Sequence, residues 1–254
     1  MLEIHQIPVL SDNYIYLIHE PESEQTAVVD PALAAPVLAA LQKKGWRLSQ
    51  ILNTHHHWDH VGGNQLLKEK TGCSIIGSAS DHSRIPGIDQ RVSDRDSIGL
   101  GRHEARIIEV SGHTMGHIAF WFPTDEVLFC GDTLFALGCG RLFEGSAQQM
   151  WASLCKLSAL PANTRIYCAH EYTQDNAKFA LTIEPDNMAL QKRVTRVQQL
   201  RADNLPTVPF SLADELATNP FLRADQAGIR HRLGLENATA GAVFAEIRQR
   251  KDCF

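Results

Sequence analysis

The chain has 254 residues and a formal charge of −5 at pH 7, with ordinary apolar and charged fractions for a globular protein. That acidic balance and the lack of a long basic run argue against nucleic acid as the main partner, and no apolar stretch approaches a membrane span. Met1-Leu2-Glu3-Ile4-His5-Gln6 carries no basic-then-apolar export signal, so the six scattered cysteines (Cys73, Cys130, Cys139, Cys155, Cys168, Cys253) read as reduced small core residues of a cytoplasmic protein.

Along the first two-thirds, short apolar or β-branched runs alternate with helical patterns. Ile15-Tyr16-Leu17-Ile18 and Ala27-Val28-Val29 predict strands. Residues 36–45 predict a helix, with proline near its start, leucines at 38 and 41, lysines at its end and a terminal glycine. Leu48 to Asn53 predicts a strand and Gln65 to Lys70 a helix. Further strands are expected at Ser74-Ile75-Ile76, residues 106–110, 118–122 and 127–130, and 165–168. Pro123-Thr124-Asp125-Glu126 reads as a hairpin turn. After about Thr173 strands become rare. Residues 186–203 and 241–251 predict helices, the prolines at 206 and 209 break the pattern, and Ser211 or Asp214 offers a cap for a short helix. An α/β domain followed by a smaller helical one is the expected organisation.

The densest chemistry is Thr54-His55-His56-His57-Trp58-Asp59-His60, which packs four histidines and an aspartate into seven residues at a strand-to-helix turn. Imidazole and carboxylate suit zinc, iron or manganese, and packing gives no reason for such a density at a strand end. Three more polar sites follow strands: Gly112-His113-Thr114-Met115-Gly116-His117, Gly131-Asp132 and Ala169-His170. Strand carboxyl ends are where ligands gather in α/β sheets, although a lone His or Asp there also serves as a cap or turn residue. Together these sites offer enough donors for two metals sharing a bridging carboxylate.

Thr-His-x-His-x-Asp-His at 54–60, Gly-His-Thr-x-Gly-His at 112–117, Gly-Asp at 131–132 and the late His170 resemble the metallo-β-lactamase superfamily in order and spacing. The resemblance implies an αββα four-layer sandwich with metals at one edge. It assigns His55, His57 and His113 to one metal, Asp59, His60 and His170 to a second, and Asp132 to both. Zinc is the expected ion, with iron or manganese as alternatives. A narrower resemblance, over essentially the whole chain, is to the glyoxalase II family of hydroxyacylglutathione hydrolases. It is carried by residues 54–64, Gly138-Cys139-Gly140-Arg141-Leu142-Phe143-Glu144-Gly145, His170-Glu171-Tyr172-Thr173 and Asn219-Pro220-Phe221-Leu222-Arg223.

That resemblance implies a metal-binding catalytic domain over 1–172 and a helical substrate-binding domain over 173–254. It places Arg141, Phe143, Tyr172, Arg248 and Lys251 around the glutathione portion and gives Asp59 and Asp132 catalytic roles. Some members have Lys in place of Arg141 and Tyr in place of Phe143; arginine keeps the cation, whereas phenylalanine loses a hydroxyl donor. From the residues alone, Arg248-Gln249-Arg250-Lys251 reads as a solvated helix end favoured by the macrodipole.

The implied reaction is hydrolysis of S-D-lactoylglutathione to glutathione and D-lactate, the second step of methylglyoxal detoxification, by a monomer whose partner is the small-molecule thioester. Two metals roughly 3.5–4 Å apart lower the pKa of water towards about 7, giving a bridging hydroxide. A thiol of pKa about 8.5 departs as thiolate without a strong general acid. His56 and Trp58 are expected to face away into packing, and His117 to be structural. Asp30 orients a ligand or caps the turn at Pro31. A single-iron sulfur dioxygenase, a β-lactamase, a nuclease and a non-catalytic module fit less well, because the ligand set is complete, the tail is long, and neither an export signal nor a basic face is evident.

Overall fold

The computed structural model describes all 254 residues, which divide into two compact units. One comprises Met1–Glu109 with Met115–Gly131, the other Val110–Thr114 with Asp132–Phe254.

The first unit contains a six-stranded sheet in sequential order: β1 (Glu3–Val9), β2 (Asn13–Glu20), β3 (Gln25–Val29), β4 (Arg47–Leu52), β5 (Ser74–Ser78) and β6 (Gln90–Val92). Its first two junctions are antiparallel and the rest parallel. The parallel part needs crossovers: α1 (Ala34–Lys44) joins β3 to β4, α2 (Trp58–Val61) with α3 (Asn64–Thr71) joins β4 to β5, and a connection with a single 3-10 turn at Ala79–Asp81 joins β5 to β6. In α1, Ala34, Val37 and Leu41 are buried at helical spacing, Lys43 and Lys44 complement the last turn, and Gly45 closes it in the left-handed region. These residues pack on Ile15, Leu17, Val28, Ile51 and Ile75. Strands β7 (Ser97–Leu100), β8 (His103–Glu109), β9 (Ile118–Phe122) and β10 (Val127–Gly131) follow as an antiparallel meander.

The second unit opens with a short hairpin, β11 (Leu134–Phe135) and β12 (Gly138–Cys139), then α4 (Ala147–Ser158) and β13 (Arg165–Cys168). Next come α5 (Thr173–Ile183), α6 (Met188–Ala202), β14 (Phe210–Ser211) paired antiparallel with β13, α7 (Leu212–Thr218), α8 (Ala227–Leu233) and α9 (Ala240–Asp252). Leu137, Ala177, Ala180, Leu190 and Val194 form one of its apolar clusters. Ser211, rather than Asp214, caps α7, accepting from the Asp214 N–H at 3.1 Å. No helix is long and apolar enough to cross a membrane.

Two expectations are corrected here. All six cysteines are free, but only Cys73, Cys130, Cys139 and Cys168 are buried. Cys155 lies on the outer side of α4, whose buried face is Met150, Ser153, Leu154 and Leu157, and Cys253 sits at the exposed end of α9. Trp58 does not pack inward: it starts α2 and is 69% exposed.

Candidate metal centre

In the first unit, β4 delivers Asn53 to His57 into an irregular turn that α2 ends. Asp30, just past β3, organises it. One Asp30 oxygen accepts from the Thr54 backbone N–H at 2.8 Å; the other accepts from the Thr54 hydroxyl at 2.7 Å and from His60 Nδ1 at 3.0 Å. Having donated to Asp30, the Thr54 hydroxyl accepts from His55 Nδ1 at 3.0 Å. Both rings thus carry their proton on Nδ1 and turn a lone pair outward from Nε2, the arrangement of metal-ligating histidines backed by a carboxylate.

The rings of His57 and His60 lie 4.6 and 4.0 Å from that of His55. Ligand atoms of Asp30, His55 and His60 fall within 4.8 Å of one another. Both Asp30 oxygens accept from Thr54 or His60, which suits Asp30 to orienting these side chains. Asp59 Oδ2 accepts from Asn13 Nδ2 at 3.0 Å and lies 3.6 Å from His60 Nε2. His56 Nδ1 meets the buried Asp81 carboxylate at 2.9 Å. His117, buried, stacks on His55 at 4.6 Å and bonds the Ile118 carbonyl through Nδ1 at 3.1 Å, a structural placement. Gly131, at φ +49°, backs this turn: a Cβ there would strike the Thr54 hydroxyl and lie 2.9 Å from the His117 ring.

The second unit contains the other candidate ligands. His113 Nδ1 donates to the Arg141 carbonyl at 2.9 Å, so its Nε2 presents a lone pair. That Nε2 lies 3.4 Å from Asp132 Oδ2, while Asp132 Oδ1 lies 3.3 Å from His170 Nε2. A lone pair facing a carboxylate oxygen is repulsive unless a cation stands between them, and one carboxylate addressing a histidine with each oxygen is a bridging disposition. On this donor chemistry the residues fit divalent metal ions.

Around them, His170 stacks on Tyr172 at 4.8 Å, Phe135 meets Tyr172 edge-on at 5.2 Å, and Phe143 meets His113 edge-on at 5.2 Å. Phe143 and Tyr172 are 64% and 40% exposed, and Arg141, two residues before Phe143, is exposed as well. Lys251 is half-buried, its Nζ over the rings of Phe179 and Phe254. Burial, then the neighbouring Arg248 charge, pulls its ammonium pKa below the usual lysine range, and the Arg141 charge acts in the same direction. Arg248 is different: it is 4% exposed, donating to the Cys139 carbonyl and to Asp252 at 2.9 Å each.

Sequence reasoning left Asp30 open and did not find Thr54, Asn13 or Asp81. Asp30 leaves one trace, an acidic residue directly after the apolar run Ala27-Val28-Val29, and the structure adds φ +48°, unusual for a non-glycine residue.

Residues 10–170 match the model of the metallo-β-lactamase superfamily, and residues 171–254 match that of the hydroxyacylglutathione hydrolase C-terminus. The chain belongs to the hydroxyacylglutathione hydrolase family. The hydroxyacylglutathione hydrolases of Methylococcus capsulatus and Rhodospirillum rubrum are 63% and 57% identical to it, over 100% of this chain and 99% of each relative. Among solved structures, ETHE1 from Myxococcus xanthus aligns with a TM-score of 0.68 at 22% identity, over 99% of both chains. The BLEG-1 B3 metallo-β-lactamase aligns with a TM-score of 0.66 at 20% identity, over 87% of this chain and 99% of that one. These similarities establish the fold as the αββα metallo-β-lactamase sandwich followed by a C-terminal helical region. Divalent-metal binding goes with that superfamily.

Proposed function

We propose that the protein hydrolyses S-2-hydroxyacylglutathiones, S-D-lactoylglutathione above all, to glutathione and the 2-hydroxy acid. The observation that carries this reading is full-length similarity to hydroxyacylglutathione hydrolases. His55, His57 and His113 would hold one divalent ion and Asp59, His60 and His170 a second, with Asp132 available to both. Zinc is the preferred assignment, with iron and manganese accepted by the same donors. When bound, the pair supplies Lewis acidity and an acidified water.

The chain's own residues do the rest. Asp30 and Thr54 hold the Nδ1 protons of His60 and His55, and the Arg141 carbonyl holds that of His113, so each ring keeps one tautomer. Asn13 fixes the Asp59 carboxylate. Arg141 and Lys251 supply cations for the glutathione carboxylates, through charge-assisted hydrogen bonds that are strong and directional. Tyr172 and Phe143 border the bound thioester; Phe143 contributes an apolar surface and no hydroxyl. The thiolate of glutathione leaves without a protein acid, which suits a site built of metal ligands.

Residues 1–172 form the catalytic part, which also carries Arg141, Phe143 and Tyr172, and 173–254 a helical part that adds Lys251 to the glutathione site. A cytoplasmic monomer is the proposed state, in keeping with six free cysteines. The deciding experiment follows loss of thioester absorbance with S-D-lactoylglutathione alongside metal analysis. Hydrolysis by metal-loaded protein, lost in Asp132→Ala together with metal content, is the expected outcome. No hydrolysis at full metal loading overturns the reading.

A further inference from the structure

The connection from β5 to β6 touches the ligand string of the first unit at two points. It begins with the 3-10 turn Ala79–Asp81, which Ser78 caps by accepting from the Ser80 N–H at 3.2 Å. The Asp81 carbonyl then accepts from the N–H groups of Arg84 at 2.8 Å and Ile85 at 3.0 Å, so the turn is held at both ends. Asp81 has no exposed surface. One of its carboxylate oxygens accepts from His56 Nδ1 at 2.9 Å and the other from Arg84 Nη2 at 2.5 Å. Further along, the Pro86 carbonyl accepts from Asn64 Nδ2 at 3.3 Å. That nitrogen also donates to Asn53 Oδ1 at 2.7 Å, and Asn53 Nδ2 donates to the His60 carbonyl at 3.1 Å.

His56 stands between two candidate ligands. The rings of His55 and His57 lie 4.6 Å apart, whereas the His56 ring lies 6.4 and 5.0 Å from them. The middle ring is thus the one turned out of the group, and fixing it fixes the backbone that carries its two neighbours. Asp81 also meets a second segment. A Cβ on Gly116 would lie 2.1 Å from Asp81 Oδ1 and 2.2 Å from its Cγ, so the chain passes the carboxylate with room for glycine alone. The next residue, His117, stacks on His55 at 4.6 Å. One buried carboxylate therefore stands against both chain segments of the first unit that bring histidines together.

We infer that Asp81 is a positioning residue of the metal centre: through His56 it fixes the backbone between His55 and His57, so that both rings are set before an ion arrives. His56 is the link in this arrangement and not a ligand. The inference rests on the ligand assignment made in the proposed function. A purely structural pair accounts for the geometry less well, because a buried ion pair brings little net stability once its desolvation is counted. Arg84, whose side chain is 39% exposed, already supplies the neutralising charge; the bond to His56 adds direction. Rings set in advance spare the ordering cost that a loose turn would meet on binding.

The test is a zinc titration of full-length protein stripped with a chelator, read against a chromophoric competitor, so that Kd does not depend on turnover. Asp81→Ala and His56→Leu, each alone, should weaken one of the two binding steps on the order of tenfold, the low end for groups that support metal ligands. Asp81→Ala should add less than about twofold when His56 is already leucine, the coupling of linked residues. His56→Asn keeps a donor nitrogen where Nδ1 stands and should restore Kd to within about twofold of the wild type, whereas a direct ligand would not be replaced so. If Asp81→Ala does not fold, as judged by its thermal melt, the two His56 variants decide. A lowered Tm with unchanged zinc Kd would make Asp81 a structural residue and overturn the inference. It falls equally if His56→Asn binds as weakly as His56→Leu, or if Asp81→Ala costs the same factor in both backgrounds. Failure of zinc-loaded wild type to hydrolyse S-D-lactoylglutathione would instead remove the hydrolase reading, and the Kd values would still decide the role of Asp81.

Discussion

Changing Asp30 to asparagine alters one atom's chemistry and little else. The side chain keeps its shape, and asparagine tolerates the left-handed backbone that Asp30 adopts at φ +48°. The Asp30 oxygen that meets His60 Nδ1 at 3.0 Å and the Thr54 hydroxyl at 2.7 Å would become an amide NH2 if the other end is to keep accepting from the Thr54 N–H. Two donors then face each other, so His60 must shift its proton to Nε2, the atom through which it would ligate. Losing a hydrogen bond to a charged buried group costs about 1.5–3 kcal/mol. Loss of such a supporting partner typically lowers metal affinity about 10–100-fold, which is roughly 1.4–2.7 kcal/mol. The two routes agree. The assay is metal content after graded dialysis against a chelator, with competition titration for each site. Asp30→Asn should lose the ion assigned to Asp59, His60 and His170 at lower chelator concentration than the wild type, and turnover should fall with it. Retention of both ions at wild-type affinity would refute the argument that Asp30 sets the His60 tautomer.

Gly131→Ala forces a Cβ against the Thr54 hydroxyl and the His117 ring at φ +49°. It should cost about 1–3 kcal/mol, seen as a Tm lowered by roughly 2–4 °C per kcal/mol, and an unchanged Tm would show that the turn relaxes freely. Lys251 has a pKa below the usual lysine value through burial and then Arg248, so its cation is lost at lower pH than that of an unfolded chain. Between the lowered value and 10.5 the unfolded state binds more protons, so the contribution of Lys251 to stability rises with pH through that window while its attraction for a carboxylate declines. S-methylglutathione affinity should therefore fall more steeply with rising alkaline pH in the wild type than in Lys251→Arg; parallel profiles would exclude Lys251 as a reader of the carboxylates.

The candidate ligand strings are legible because each sits where an apolar β run stops and because the string at 54–60 is too dense in histidine for a cap or turn, the ordinary use of a lone Asp or His at such a stop. The helix at 147–158 was not recognised although its signal is present: Ser146 and Gln149 form a capping box. Helix α5 offers no such mark, since Tyr172 at its N-cap makes no side-chain bond to the helix. Strands β6 and β7, three and four residues long, are too short to show a pattern. What Asp30 does depends on a backbone angle and on partners 24 and 30 residues away, which local spacing does not encode.

Arg248 shows the same limit most clearly. In sequence it stands beside Arg250 and Lys251 in a basic run at a helix end, where solvation is the ordinary outcome. In the fold, Arg250 bonds Glu246 on the exposed side of α9, whereas Arg248, with Val243, Phe244 and Ile247, lies on the buried side. Two residues, about half a helical turn, thus separate a solvated cation from an enclosed one. The distinction bears on function because the sandwich is shared with structures as different in name as a B3 metallo-β-lactamase and ETHE1. Fold and ligand string alone do not choose among the chemistries such a sandwich can host. In the proposed function the choice rests on which substrate group is read beside the metal ligands, Arg141 among the readers. Side chains of α7 and α9, with Asn219 just past α7, end on the backbone of the β11–β12 hairpin that leads to Arg141. In the proposed function the C-terminal helices therefore bear on specificity in two ways, by holding that backbone and by carrying Lys251.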